Sequence, residues 1–510
     1  MAKTPSEKLF QLIRTLSPAE KRYFRIFVRG KTIRDSKYLQ LFEGMAAMKA
    51  LDEEALKTRI YKSQAVTGKK YSELKAYLYE LLLKCLQSFD EQHSIDYRLN
   101  QLLQSVAVLF KRGQYGNCDE LLYKAGKLAR HYERFGHQLD IIGWEKQLAY
   151  TRMDVDFLHK NLEQLQFQED HALAQLRNAA DYRKAFFQVY TIVKREATQR
   201  GGDRMLRLQQ SVQQEAFRDP DLATSHKARV TYYRTINLYH YALAEYPEFY
   251  ETGRQLIALL ESQPHFLKEN IADYIAALSN LILSCGLLGK YAEVERALQK
   301  LRQLHALTED DRQKIHRQYF TNRFALCIYT GEFEEARQEM AHCQSEADAF
   351  DPHHYETASF YFQYCVICFG CGDYSSALDY LNQWLNQPRS VDREDLQSLA
   401  RVLSLILHFE LGNSVLLESL LRSATRFMQK KNRLFELERR FIHFMADLMR
   451  AANRMEQQPV FQKMKTELPD LPGAKSLLQT FDLEAWLESK ITSRSFAAAV
   501  RGRRQAETSA

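Results

Sequence analysis

A short pattern recurs along this chain: a glycine, an aromatic side chain two residues later and a small residue three further on. The clearest copies begin at Gly289, Gly331 and Gly372, a looser copy begins at Gly412, and Gly113 begins an upstream copy. The four glycines from Gly289 to Gly412 are 42, 41 and 40 residues apart. A repeat of this length indicates a stack of supersecondary units, because a single unit cannot bury its apolar face alone.

Each unit is predicted to be a pair of helices. Before Gly331, apolar side chains such as Ile315, Tyr319 and Cys327 follow the three-to-four spacing of one helical face. Glycine ends a helix by adopting the left-handed conformation at no steric cost. The aromatic residue then begins the second helix and packs over the turn; these residues are Tyr291, Phe333 and Tyr374.

Some units lack the complete pattern. Between Gly113 and Gly289 we expect Val155, Gly202 and Pro247 to occupy the turn position, and Arg454 to begin a degenerate ninth unit. Proline stops a helix, so the second helices are predicted to end near Pro264, Pro352 and Pro388.

The pattern resembles the tetratricopeptide repeat family, whose turn glycine, aromatic residue, small residue and terminal proline correspond to Gly372, Tyr374, Ala377 and Pro388. The unit here is about 41 residues long, whereas the family has 34. The resemblance implies a right-handed α-solenoid of about nine hairpins, whose concave groove binds a partner protein or peptide. It does not imply catalysis.

Residues 1–90 do not fit the repeat and are predicted to form a small helical domain before it. Ser17, Pro18 and Glu20 have the pattern of a capping box, and a second amphipathic helix is predicted from Tyr71 to Phe89. This opening resembles that of uncharacterised bacterial proteins with a short helical domain before a helical repeat array, a resemblance that implies no activity. The solenoid with a final capping helix at 474–490 then spans 91–490, and 491–510 is predicted to be a disordered basic tail.

The positive charge is concentrated in the first domain. Residues 1–90 carry 18 basic and 10 acidic side chains, a net charge of +8, whereas the rest carry 53 and 54, a net charge of −1. Three interpretations stay open: a solvated face relieved by Glu7, Glu20 or Glu43, a nucleic-acid contact, and a contact with an acidic protein. The candidate contacts are Lys21, Arg22, Arg25, Arg29, Lys31 and Arg34.

The cysteines suggest a metal site at first, because Cys365, Cys368 and Cys371 form a CxxCxxC run. However, Cys285, Cys327 and Cys368 each lie four residues before a turn glycine, so one repeat position uses cysteine as a small buried side chain. No phosphate-binding loop, HExxH motif or GxSxG motif occurs. We therefore expect no enzyme activity, no cofactor and no metal.

The sequence also favours a cytoplasmic protein without a membrane segment. Its opening lacks the apolar core of a signal peptide, and its most apolar stretch, 275–289, has 15 residues where a spanning helix needs about 20. The predicted function is a non-catalytic scaffold or adaptor for another protein. The alternative is a regulator whose basic domain contacts nucleic acid while the solenoid senses a partner.

Overall fold

The computed structural model describes residues 5–29, 37–48, 50–61, 68–90, 94–195, 202–213, 215–350, 355, 357–387, 394–430, 436–451, 453–470 and 481–509. All regular elements in these ranges are helices, which confirms the all-α prediction. None of the helices described is long and apolar enough to cross a membrane.

The first five helices share one apolar core. They are α1 (Pro5–Thr15), α2 (Pro18–Arg29), α3 (Lys37–Ala47), α4 (Glu53–Tyr61) and α5 (Gly68–Asp90). Their buried side chains form a cluster around Ile13, Phe24 and Phe42, in which the Phe24 and Phe42 ring centroids are 4.4 Å apart. The capping box at the start of α2 is confirmed, because Ser17 N donates to Glu20 Oε2 at 2.6 Å and Glu20 N donates to Ser17 Oγ at 3.2 Å.

The rest of the chain runs as successive helices that pack on their neighbours in sequence. The first group is α6 (Ile95–Phe110), α7 (Tyr115–His131), α8 (Phe135–Thr151), α9 (Val155–Arg195), α10 (Gly202–Val212), α11 (His226–Leu243), α12 (Tyr246–Ser262) and α13 (Pro264–Glu269). The second group is α14 (Ala272–Leu287), α15 (Tyr291–Arg302), α16 (Glu309–Thr330), α17 (Phe333–Ala347), α18 (Tyr361–Gly370), α19 (Tyr374–Leu385), α20 (Glu394–Glu410) and α21 (Ser414–Lys430). The last group is α22 (Glu436–Arg450), α23 (Arg454–Glu467), α24 (Leu483–Thr492) and α25 (Phe496–Ser509). Short 3-10 helices lie at Glu215–Phe217, Pro220–Leu222, Thr357–Phe360 and Leu468–Asp470.

The turn glycines have the backbone conformation that the repeat requires. Gly113, Gly289, Gly331, Gly372 and Gly412 have φ values of 67°, 70°, 80°, 80° and 70°, in the left-handed region. At each turn the next N–H donates to the carbonyl of the residue four before the glycine; the distance is 2.9 Å both from Glu332 N to Cys327 O and from Asp373 N to Cys368 O. This bond satisfies a carbonyl that the end of a helix would otherwise leave unpaired.

The predicted turn positions in the units without glycine are wrong. The left-handed residues there are Met153 (φ 54°) and Ala244 (φ 58°), and Val155 and Tyr246 begin the helices that follow. A non-glycine residue adopts this conformation at a cost of about 1–2 kcal/mol. Because no glycine occupies these two turns, the sequence does not mark their positions.

Pro247 and Gly202, which were also expected at turn positions, lie within helices. Pro247 lies in the first turn of α12. α9 continues for 41 residues, through the place where we expected one hairpin to end and the next to begin. Gly202 is then the first residue of the following helix, α10. The left-handed Glu133 (φ 50°) adds a further turn between α7 and α8.

The helix ends agree better with the prediction. α12 ends at Ser262, two residues before Pro264. Arg454, expected to begin a ninth unit at the turn position, is instead the first residue of α23, as Val155 is of α9. Pro352 and Pro388 lie outside the described residues. Of the expected capping helix, the part from Leu483 is helical, and the buried indole of Trp486 donates to Glu410 Oε1 at 2.7 Å.

The expected disorder of 491–510 is also corrected, because α25 is a helix that packs against α16. Its buried side chains Phe496, Ala499 and Val500 lie on one face, and the Phe496 ring stacks on that of Phe481 at 5.3 Å between centroids. Tertiary contacts therefore hold a segment that has a basic, polar sequence.

Candidate functional site

The basic residues of α2 are partly engaged within the protein. Arg25 Nε donates to Glu43 Oε1 at 2.6 Å and Arg25 Nη2 donates to Glu43 Oε2 at 3.0 Å. This bond raises the pKa of the guanidinium. Glu43 thus engages two of the five N–H donors of Arg25 and compensates the positive charge that a phosphate group would need.

Of the other candidate contact residues, the structure describes the side chains of only two. Lys21 is half-buried and Arg22 is exposed on the same helix. The side chain of Arg29, and Lys31 and Arg34 altogether, lie outside the described residues. Nucleic-acid binding by residues 1–90 stays a prediction.

The cysteines at the repeated position are buried. Burial raises the pKa of the Cys285 thiol to about 11, that of Cys327 to about 12 and that of Cys368 to about 11. The thiolate is the form that binds a metal or attacks an electrophile, so these thiols are poorly suited to either task near neutral pH. Their position beside the left-handed turns gives them a packing role.

The rest of the CxxCxxC run has the same character. Cys365 is fully buried, which raises its pKa well above the usual value, and Cys371 Sγ donates to Phe333 O at 3.3 Å. Across the described residues there is no group of three His, Cys, Asp or Glu side chains arranged to hold a metal ion.

Among the residues that the structure describes, a groove of about 540 Å³ lies over α14 and α16. This volume lies within the usual range for ligand pockets, about 300–1,000 Å³. Its floor is apolar, and we call it the α14–α16 groove; the apolar lining residues are Ile282, Leu283, Leu287, Val294, Ala325 and Leu326. Leu283 remains 41% exposed there, whereas Leu278 of the same helix is fully buried.

Two tyrosines lie at the turn end of the groove. The ring centroids of Tyr291 and Tyr329 are 5.4 Å apart, so the predicted turn aromatic of α15 packs against the last turn of α16. The other two predicted turn aromatics are packing residues away from the groove: Phe333 contacts the Phe496 ring at 5.5 Å and Tyr374 contacts the Phe369 ring at 5.1 Å between centroids.

The C-terminal residues close one end of the groove. Arg504 lies 3.8 Å from the Tyr329 ring centroid, and its Nε donates to Tyr329 O at 3.1 Å. Its Nη2 also donates to Asp482 Oδ2 at 3.1 Å, and Arg503 pairs with Asp482 and Glu484. Burial raises the pKa of Asp482, although both arginines act in the opposite direction.

The charges at this end therefore compensate one another within the protein. The polar wall residue Asn322 is also engaged, since its Nδ2 donates to Gln318 O at 2.7 Å. What the groove offers to a ligand is an apolar floor and aromatic rings, a surface suited to binding an apolar segment.

A smaller cavity of about 290 Å³ lies between α7, α8 and the start of α9. Burial raises the pKa of Glu145 in its wall, although Arg130 lowers it, and Arg152 Nη2 pairs with Asp119 Oδ2 at 2.7 Å. Two arginines and three carboxylates line this cavity, and its lining has no histidine, cysteine or serine that could act as a nucleophile.

Sequence reasoning missed the α14–α16 groove. Part of its floor lies in the apolar stretch 275–289, which was interpreted only as a buried helix, and its end comes from residues about 200 positions later. One signal was present: the stretch is apolar on more sides than a helix covered on one face needs.

Comparison with known proteins adds no assignment: the sequence matches no protein-family model, and no curated protein matches it.

Proposed function

We propose that the chain is a non-catalytic scaffold, built as a right-handed solenoid of tetratricopeptide-like hairpins, whose α14–α16 groove binds an apolar segment of a partner protein. The packing of the hairpins supports the solenoid. At several places along the chain the first helices of consecutive hairpins contact one another: α14 with α16, α16 with α18, and α20 with α22. Each second helix also contacts the first helix of the next hairpin. Nearest-neighbour packing of this kind is typical of helical repeat arrays.

The observation that carries the binding proposal is the apolar floor of the groove, on which Leu283 is 41% exposed. An open apolar surface with internally paired charges at its end fits the apolar face of an amphipathic helix, which places side chains at i, i+3 or i+4, and i+7 into such a groove. An acidic or phosphorylated peptide would find the two arginines there already compensated, because Arg503 and Arg504 pair with the two carboxylates of Asp482 and Glu484.

A selection from a random peptide library displayed on phage tests this proposal. We expect the selected peptides to share apolar residues at helical spacing and to lose binding at least about tenfold to Leu283→Glu, since the substitution places a charge on the groove floor. Val415→Glu is the matched control, because Val415 is an exposed apolar residue on α21, outside the groove. Peptides that bind Leu283→Glu as well as the unsubstituted chain would contradict the proposal.

A further inference from the structure

The longest helix carries an apolar stripe on its exposed side. Leu162, Leu173, Leu176 and Phe187 of α9 are 51%, 51%, 37% and 57% exposed. They are separated by 11, 3 and 11 residues, and 11 residues make three turns of a nearly straight helix. The stripe therefore lies along one face for about 38 Å, at 1.5 Å per residue.

The buried face of α9, which adjoins the stripe at Leu176, holds the helix in place. Ala172, Ala179, Tyr182 and Val189 are buried there, and α9 packs against α8, α10 and α11. Tyr182 also donates its hydroxyl proton to Ala216 O at 2.5 Å. The stripe is thus presented by a helix that the rest of the fold already fixes, so a partner would bind it without ordering it first.

The charge along α9 is divided between its two halves. Residues 155–174 contain four acidic side chains and one lysine, a net charge of −3, whereas residues 176–195 contain five basic side chains and one aspartate, a net charge of +4. A helix with this division is complementary to an antiparallel copy of itself and repels a parallel copy.

We propose that two copies of this chain associate through α9, packed antiparallel about a two-fold axis that passes between Leu173 and Leu176. In this register Leu173 of one copy faces Leu176 of the other, and Leu162 faces Phe187. The exposed side chains beside the stripe then pair with opposite sign, Glu163 with Lys184 and Asp170 with Arg177. Arg177 contacts Asp181 of its own helix at 3.3 Å, and because that pair is exposed and weak, Arg177 can exchange it for Asp170 of the other copy. Every pair occurs twice, as an isologous interface requires.

A second copy is favoured over an unrelated partner because both apolar and charged residues match under the same register. Residues that face each other in one antiparallel register have numbers with the same sum. This sum is 349 for both apolar pairs and 347 for both charged pairs. The offset of two residues is about 3 Å along the helix, which a lysine or arginine side chain spans. The interface is independent of the α14–α16 groove, which lies on other helices.

Sedimentation of the full-length chain over a concentration series tests the association. We expect a monomer–dimer equilibrium, whose dissociation constant rises at least about tenfold in Leu173→Glu and is unchanged in the control Met455→Glu, an exposed apolar site on α23. Circular dichroism verifies that each variant is folded. A chain that sediments as a monomer at every concentration, or a Leu173→Glu variant that dimerises normally, would overturn the proposal.

A charge exchange distinguishes the antiparallel arrangement from other modes of self-association. Glu163→Lys alone and Lys184→Glu alone each place like charges opposite one another, so each weakens the dimer. The double variant restores opposite charges across the two-fold axis and recovers the dimer. If the double variant is as weak as the sum of the single variants, the proposed register is wrong.

Discussion

Gly331 is constrained both by its backbone and by its surroundings. Its φ of 80° lies in the left-handed region, and a Cβ added there would lie 3.0 Å from Arg501 Cγ and 3.2 Å from Ala497 O. Gly372 has the same φ, but a Cβ there would have no neighbour within 4 Å. The two glycines therefore separate the cost of the turn from the cost of the contact with α25.

We predict that Gly372→Ala lowers the free energy of unfolding by about 1–2 kcal/mol, the cost of a left-handed alanine. Gly331→Ala should lower it by a further 1–3 kcal/mol or so, because α25 has to move away from the new methyl group. Urea unfolding of both variants measures the difference. Equal losses at the two sites would mean that α25 does not pack closely on the α16–α17 turn.

His316 gives the stability a pH dependence. It is almost fully buried in α16, and its ring Nδ1 is hydrogen-bonded to the Tyr355 hydroxyl. Burial lowers its pKa from 6.5 to about 4, although Glu346 acts in the opposite direction. The unfolded chain therefore binds a proton between pH 6.5 and pH 4 that the folded chain does not bind.

Because the unfolded chain binds this proton more readily, we predict that the contribution of His316 to the free energy of unfolding is complete above about pH 6.5. This contribution is lost progressively as the pH falls towards 4. His316→Phe should make the thermal midpoint less sensitive to pH over this interval. His342→Phe is the control, because the side chain of His342 is 72% exposed. A pH dependence that both substitutions leave unchanged would contradict the assignment.

At the scale of elements, α25 links the end of the chain to the middle of the array. Phe496 contacts Phe333 and Phe369, whose ring centroids lie 5.5 and 5.1 Å from its own, and Arg501 Nη1 donates to Gly331 O at 3.1 Å. The helix thus buries the turn ends of α16, α17 and α18 and forms one end of the α14–α16 groove.

We predict that Phe496→Ala lowers the free energy of unfolding by about 3–5 kcal/mol, the usual cost of truncating a buried phenylalanine. Hydrogen exchange should show the loss of protection first in α25 and in the last turn of α16. Arg494→Ala, at an exposed position just before α25, should leave both unchanged. If α16 keeps its protection in Phe496→Ala, then α25 is not part of the packed structure.

The sequence predicted those elements whose signals are local. The capping box at Ser17 and Glu20, the helix before Gly331 and the glycine turns all follow from residues a few positions apart. The turns at Met153 and Ala244 were missed because their side chains do not distinguish a left-handed residue from a helical one. The helix at 496–509 was missed because its stability depends on Tyr329, Gly331 and Asp482, which its own sequence does not contain.

At the scale of the whole molecule, the candidate site could not be predicted because its parts are far apart in sequence. Leu283 and Tyr329 come from consecutive hairpins, whereas Arg504 arrives from the end of the chain. Repeat spacing predicts that such hairpins are neighbours, but the groove between them depends on which side chains are left uncovered.

Hydrogen exchange of the full-length chain, with and without a peptide selected for binding, tests the central proposal most directly. We predict that the peptide increases protection in α14 and α16 and leaves α1 to α5 unchanged, and that Leu283→Glu abolishes the increase while Val415→Glu preserves it. Added protection that lies outside α14 and α16, or that persists in Leu283→Glu, would contradict the proposal that this groove is where the scaffold binds its partner.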